Sequence, residues 1–131
     1  MKTLQLLFSF VLFVAIAACD GGSPESDRQG MARLKALDEE WTMLRDAAAS
    51  VEKDRLGGGI QRMQAIQQRL QGLAVGKCLS EAKGVLEQHI GQTIDGYLKF
   101  MGNDDAGSRA ALDAAQASMK KYLEARDKCN G

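Results

Sequence analysis

The chain has 131 residues, with 17 Lys and Arg against 17 Asp and Glu, one His and three Cys. That length is one domain's worth, and the balanced charge offers no basic footprint for nucleic acid and no strong charge for a charged membrane surface. No segment alternates as a strand does, and Pro24 is the only proline, so the class expected is all-α.

In chain order, Met1-Lys2-Thr3 is a short basic start, and Leu4 to Ile16 is an apolar run shorter than the roughly 20 residues that span a bilayer. Small residues follow, and the whole has the pattern of a secretory signal over residues 1–18. Ile16-Ala17-Ala18-Cys19 resembles the lipobox of bacterial lipoproteins: an aliphatic residue, two small ones and a cysteine. The resemblance implies a diacylglyceryl group on the Cys19 sulfur, cleavage just before it, and partnership with a membrane through the lipid. Two or three acyl chains hold firmly, at about 0.8 kcal/mol per buried methylene, where one binds marginally. Asp20 at the following position, in enterobacteria-like sorting, implies the inner membrane facing the periplasm, with the outer membrane as the alternative. Removing residues 1–18 of 131 leaves 113, and the loss of Lys2 leaves 16 basic against 17 acidic side chains.

Residues 19–27 then read as the lipidated cysteine and a polar, Gly- and Pro-containing tether, and residues 28–131 as the helical domain. From about Arg28 to Leu56, Leu34, Leu37, Trp41, Leu44, Ala48 and Val51 recur in steps of three and four, a helical stripe. Gly57-Gly58-Gly59 is expected to break that helix and permit a reversal. A shorter stripe follows at Ile60, Met63, Ile66, Leu70 and Leu73, then a loop around Ala74 to Lys77. The third helix is expected from about Leu79 to Met101 with Leu79, Ala82, Leu86, Ile90, Ile94, Tyr97 and Met101 inward. Gly102 to Asp105 closes it and supplies caps for a fourth, from about Ala106 to Lys128, with Leu112, Ala115, Met119 and Tyr122 inward. Short connections predict an antiparallel bundle of three to four helices, up-down-up-down. Helix one, at roughly 40 Å, would outrun helix two, at about 22 Å, so one of its ends would project.

Cys78 stands at the expected start of helix three and Cys129 at the expected end of helix four, which an antiparallel hairpin brings to one end. A Cys78–Cys129 disulfide is therefore expected, formed in an oxidising compartment. Closing a loop of about 50 residues contributes roughly 4 kcal/mol in the chain-entropy model.

His89, the lone histidine, flanks the inward stripe of helix three. A small exported bundle with His and Met resembles, in size, the cytochrome b562-type proteins, which ligate haem through one His and one Met on different helices; that resemblance makes His89 a candidate ligand. No CxxCH is present, and Met31, Met43, Met63, Met101 and Met119 read more simply as core fillers. No cofactor and no metal site is expected. Asp38-Glu39-Glu40 reads as a solvated face, because adjacent helical residues do not converge, and no Ser, Thr or His arrangement marks a catalytic nucleophile. Gly84 and Gly91, seven apart on the outward face of helix three, are candidates for an interaction face, since Gly inside a helix costs about 1 kcal/mol against Ala. The run from Lys77 to Met101 resembles a recurring pattern in small bacterial helical proteins and implies a helical hairpin without an activity.

The functional expectation is an envelope lipoprotein whose bundle works by protein contact, as adaptor, accessory subunit or sensor rather than enzyme, with an envelope protein as partner. The alternative is a bundle carrying a small apolar ligand, a lipid or haem; an enzyme comes third.

Overall fold

Where the apolar spacing runs in threes and fours, the chain is helical. The computed structural model describes residues 24–130, folded as α1 (Pro24–Ala49), a 3-10 turn (Lys53–Arg55), α2 (Leu56–Gln71), α3 (Lys77–Met101) and α4 (Asp105–Lys128), with no strand among the described residues. Ile16 to Cys19 and residues 20–23 lie outside the described residues. Pro24 opens α1 at the position where its missing N–H is no loss, four residues before the expected start.

The reversal between α1 and α2 falls elsewhere than expected. Helix α1 stops at Ala49, Val51 stands 39% exposed, and Gly57 to Gly59 lie inside the first turn of α2. The reason is Leu56, which is 2% exposed and begins the α2 stripe that Ile60, Met63, Ile66 and Leu70 continue. Burying Leu56 with them needs helix from Leu56 onward, and glycines in an opening turn interrupt little hydrogen bonding. A Cβ on Gly59 would sit 4.0 Å from the Ala48 Cβ, so the end of α1 and the start of α2 meet closely.

Helix α3 is the hub. It packs against α1, α2 and α4, whereas no Cα of α1 comes within 8 Å of one of α4. The core holds Leu34, Leu37 and Trp41 of α1, the α2 stripe, and Leu79, Ala82, Leu86, Ile90 and Ile94 of α3. All seven expected α3 positions except Tyr97 and Met101 are buried. On α4 the inward face is shifted and smaller in side chain than expected: Leu112 and Met119 are half-buried, while Ser108, Ala111, Ala115, Ser118, Tyr122 and Ala125 are buried. These small residues bring α4 close to α3, and Gly96 is where they meet. A Cβ there would lie 2.7 Å from Leu112 Cδ2 and 3.4 Å from the Ser108 carbonyl oxygen.

The connection between α3 and α4 is built as turn chemistry dictates. Asn103 takes the left-handed conformation (φ 63°), and the Asp104 carboxylate accepts from the Gly107 N–H at 2.9 Å, capping α4. At the opposite end Cys78 and Cys129, 51 positions apart in sequence, are joined, with Cα atoms 5.8 Å apart. The disulfide thus ties the start of α3 to the end of α4, as the hairpin geometry requires.

Two measurements check this packing. Gly96→Val forces a branched side chain into the α3–α4 contact and is expected to destabilise by about 1–3 kcal/mol, seen as a lower urea midpoint. Replacing Cys78 and Cys129 together by Ser is expected to cost about 4 kcal/mol; an unchanged midpoint would mean the α3–α4 contact closes the hairpin unaided.

Candidate functional site

The lone histidine is 2% exposed and joins three helices. Trp41 Nε1–H of α1 donates to His89 Nε2 at 2.9 Å, and His89 Nδ1 lies 2.7 Å from the carbonyl oxygen of Ala115 in α4. An indole N–H only donates and a carbonyl only accepts, so the partners fix the tautomer: neutral imidazole with its proton on Nδ1. The indole and imidazole rings meet edge to face, with centroids 5.5 Å apart. Burial holds the His89 pKa below its ordinary 6.5, opposed by the Ala115 carbonyl and by Asp38, and aided by Arg45. With both nitrogens committed, this ring has no free lone pair for a metal or haem iron in this arrangement.

A second polar link spans α1 and α4. Tyr122, fully buried, donates its hydroxyl to Asp38 Oδ2 at 3.2 Å, and Arg126 Nη1 reaches the same oxygen at 3.2 Å. Burial, and then the Asp38 charge, push the Tyr122 pKa far above its ordinary value. Asp38 therefore does not belong to a solvated face, as its sequence neighbours suggest; a residue 84 positions away covers it. Glu40 is also paired, with Arg69 of α2 at 2.7 Å.

Above these links the gap between α1 and α4 is an open cleft of about 450 Å³, floored by His89 and Thr93, with Arg45, Tyr97, Gln116 and Met119 around it. Such a volume is in the range of small-molecule sites.

On the other side of α1 lies a groove shared with α2. Leu44 and Ala47 of α1 and Arg62 of α2 line it throughout. Met43, Ala65 and Arg69 extend it one way, Val51, Arg55 and Gly58 the other. Met43 is 69% exposed, the most exposed large apolar side chain among the described residues. The two glycines singled out from sequence do not share one open face. A Cβ on Gly84 would meet nothing within 4 Å, whereas one on Gly91 would sit 3.3 Å from Gln67 Nε2 of α2. The glycine that admits a close helix is Gly96. Reading the sequence also passed over the arginines at positions 55, 62 and 69. Their seven-residue spacing was the signal that pointed to one helical face.

Comparison with protein-family models, curated proteins and solved structures gives no match.

The His89 geometry sets a pH dependence. The folded chain binds the imidazole proton less tightly than the unfolded chain, whose pKa is the ordinary 6.5. Above that value His89 leaves stability independent of pH. Below it, the unfolded state is protonated first, and stability falls by at most about 1.4 kcal/mol per pH unit until the folded pKa is passed. Urea melts between about pH 7.5 and 5 are expected to show this loss, and His89→Gln to remove that part of the slope. Trp41 is the only tryptophan, so its emission follows the same titration.

Proposed function

We propose that this chain is an envelope lipoprotein, anchored through Cys19 in the inner membrane and facing the periplasm, whose bundle acts by binding another envelope protein. The observation that carries the reading is the division of labour among its polar and apolar groups. His89, Asp38, Tyr122 and Arg126 are engaged in holding helices together, while the α1–α2 groove, with Met43 at its rim, stays open to solvent. A molecule arranged this way meets others through its surface. Cys19 lies five positions before Pro24, a span of at most roughly 16–18 Å. Asp27, Arg28 and Met31 at the start of α1 border Cys78 and Cys129, so this reach keeps the disulfide end near the bilayer and leaves the groove running up the side of the bundle. The disulfide suits the oxidising side of that membrane.

The cleft beside His89 supports a second reading, in which the bundle carries a small ligand between α1 and α4. Native mass spectrometry of the full-length protein, extracted gently from its own envelope, separates the two. A reproducible mass for a second protein supports the contact reading; a lipidated monomer with a bound small-molecule mass supports the carrier. The anchor has its own check: palmitate labelling is expected to vanish in Cys19→Ser, and labelling that survives would remove the anchor assignment.

A further inference from the structure

We infer that the α1–α2 groove is the docking site for an amphipathic helix that carries carboxylates seven residues apart. The inference rests on the contact reading above and names the partner's chemistry.

Three observations meet in this groove. Its floor is apolar and its walls are low: Leu44, Ala47 and Ala65 line it, and a Cβ on Gly58 would meet nothing within 4 Å. Small residues of this kind let a second backbone come near, as helix-in-groove recognition requires. The rim on the α2 side carries Arg55, the last residue of the 3-10 turn, and Arg62 and Arg69 of α2, all exposed and each seven positions from the next. Seven residues are two helical turns, so Arg62 and Arg69 share one face of α2 about 10 Å apart along its axis, and Arg55 borders the same groove just before the helix begins. Finally, Arg69 is held by Glu40, but Arg55 and Arg62 have no ion pair among the described residues. Two unengaged guanidiniums, one heptad apart beside an apolar trough, are complemented by a helix whose apolar face fills the trough and whose edge carries Asp or Glu at positions i and i+7. Met43, on the α1 rim, would pack against the same apolar face.

Other occupants fit less well. A second copy related by a two-fold axis crossing the groove at right angles would set the arginine rows of the two copies beside one another, a like-charge contact; with the axis along the groove each row would face the α1 rim, whose carboxylate, Glu40, is already held by Arg69. A bilayer holding the tether faces the disulfide end, whereas the groove runs lengthwise. Residues 1–23 offer a single carboxylate, Asp20.

The test is photocrosslinking in intact envelopes of the full-length protein, with a benzophenone amino acid placed at Met43 or, separately, at Leu98, which is 49% exposed on α3. Adducts are sequenced by mass spectrometry. The expected result is a protein adduct at Met43 whose crosslinked segment is amphipathic with carboxylates seven apart, and whose yield drops about fivefold or more when Arg55→Glu and Arg62→Glu are combined. Both arginines are exposed, so the doubly substituted protein should keep its urea midpoint, which separates lost docking from lost folding. A protein adduct without that acidic pair, or one indifferent to the arginine reversal, overturns the partner chemistry and leaves the contact reading standing. An adduct with this same chain, or with phospholipid, overturns it in favour of a second copy or the membrane surface. Protein adducts at Leu98 and none at Met43 overturn the face. No protein adduct at either position, with no partner mass in native spectrometry, sinks the contact reading itself.

Discussion

The pair of hydrogen bonds on His89 is the constraint on which the rest of the bundle depends. Helices α1 and α4 never approach each other backbone to backbone, so three helices share one polar pin: Trp41 from α1, the imidazole of α3, and the Ala115 carbonyl of α4. The pin works only for the neutral ring. A doubly protonated imidazole would present a second N–H toward the indole N–H, and two donors cannot bond. Burial, which disfavours the charged form, and the hydrogen-bond pattern, which has no place for it, therefore act in the same direction. An unsatisfied group at this depth costs roughly 1–3 kcal/mol, a substantial part of the 5–15 kcal/mol typical of a whole domain.

Around that pin the bundle is lopsided, and its two open sides have different causes. Between α3 and α4 the packing is thin and close, because Gly96 faces Ser108 and Leu112 and the buried face of α4 is mainly Ala and Ser. Pulled toward α3, α4 stays away from α1, and only the long side chains of Tyr122 and Arg126 cross, to Asp38. Where they are absent the gap widens into the cleft beside Tyr97 and Met119. Between α1 and α2 the groove arises differently. Ala47, Ala65 and Gly58 leave shallow walls along two helices that are otherwise tightly packed through Leu44, Ile66 and Leu56.

How much of this was legible depended on whether the deciding partner was near in sequence. Leu34, Leu37, Trp41, Ala48, Met63, Leu86 and Ile90 announce their burial because helical periodicity is local, and all are buried. The hairpin and its disulfide were legible too, since two cysteines at matching helix ends need only a short connection between the helices. The α1–α2 boundary was not. The apolar stripe continues through Val51 to Leu56, and only packing shows that Val51 is left outside while Leu56 starts the next helix. Gly84, Gly91 and Gly96 look alike in sequence; the residue standing opposite each one distinguishes them.

The sequence by itself determined the helical class, the order of the helical segments, most of the core and the cysteine pair. Each of these follows from spacing along the chain, where 3.6-residue periodicity and helix-ending residues act over a few positions. Only the tertiary structure decided that His89 is a neutral pin, that Asp38 is a covered ion-pair partner, and that an arginine row flanks an open apolar groove. The first two properties come from neighbours 84, 48 or 26 positions away, and the third from how α1 and α2 lie side by side. An imidazole or a carboxylate carries the same letter in water and in a core, and its protonation, solvation and partners are set by what the fold places against it.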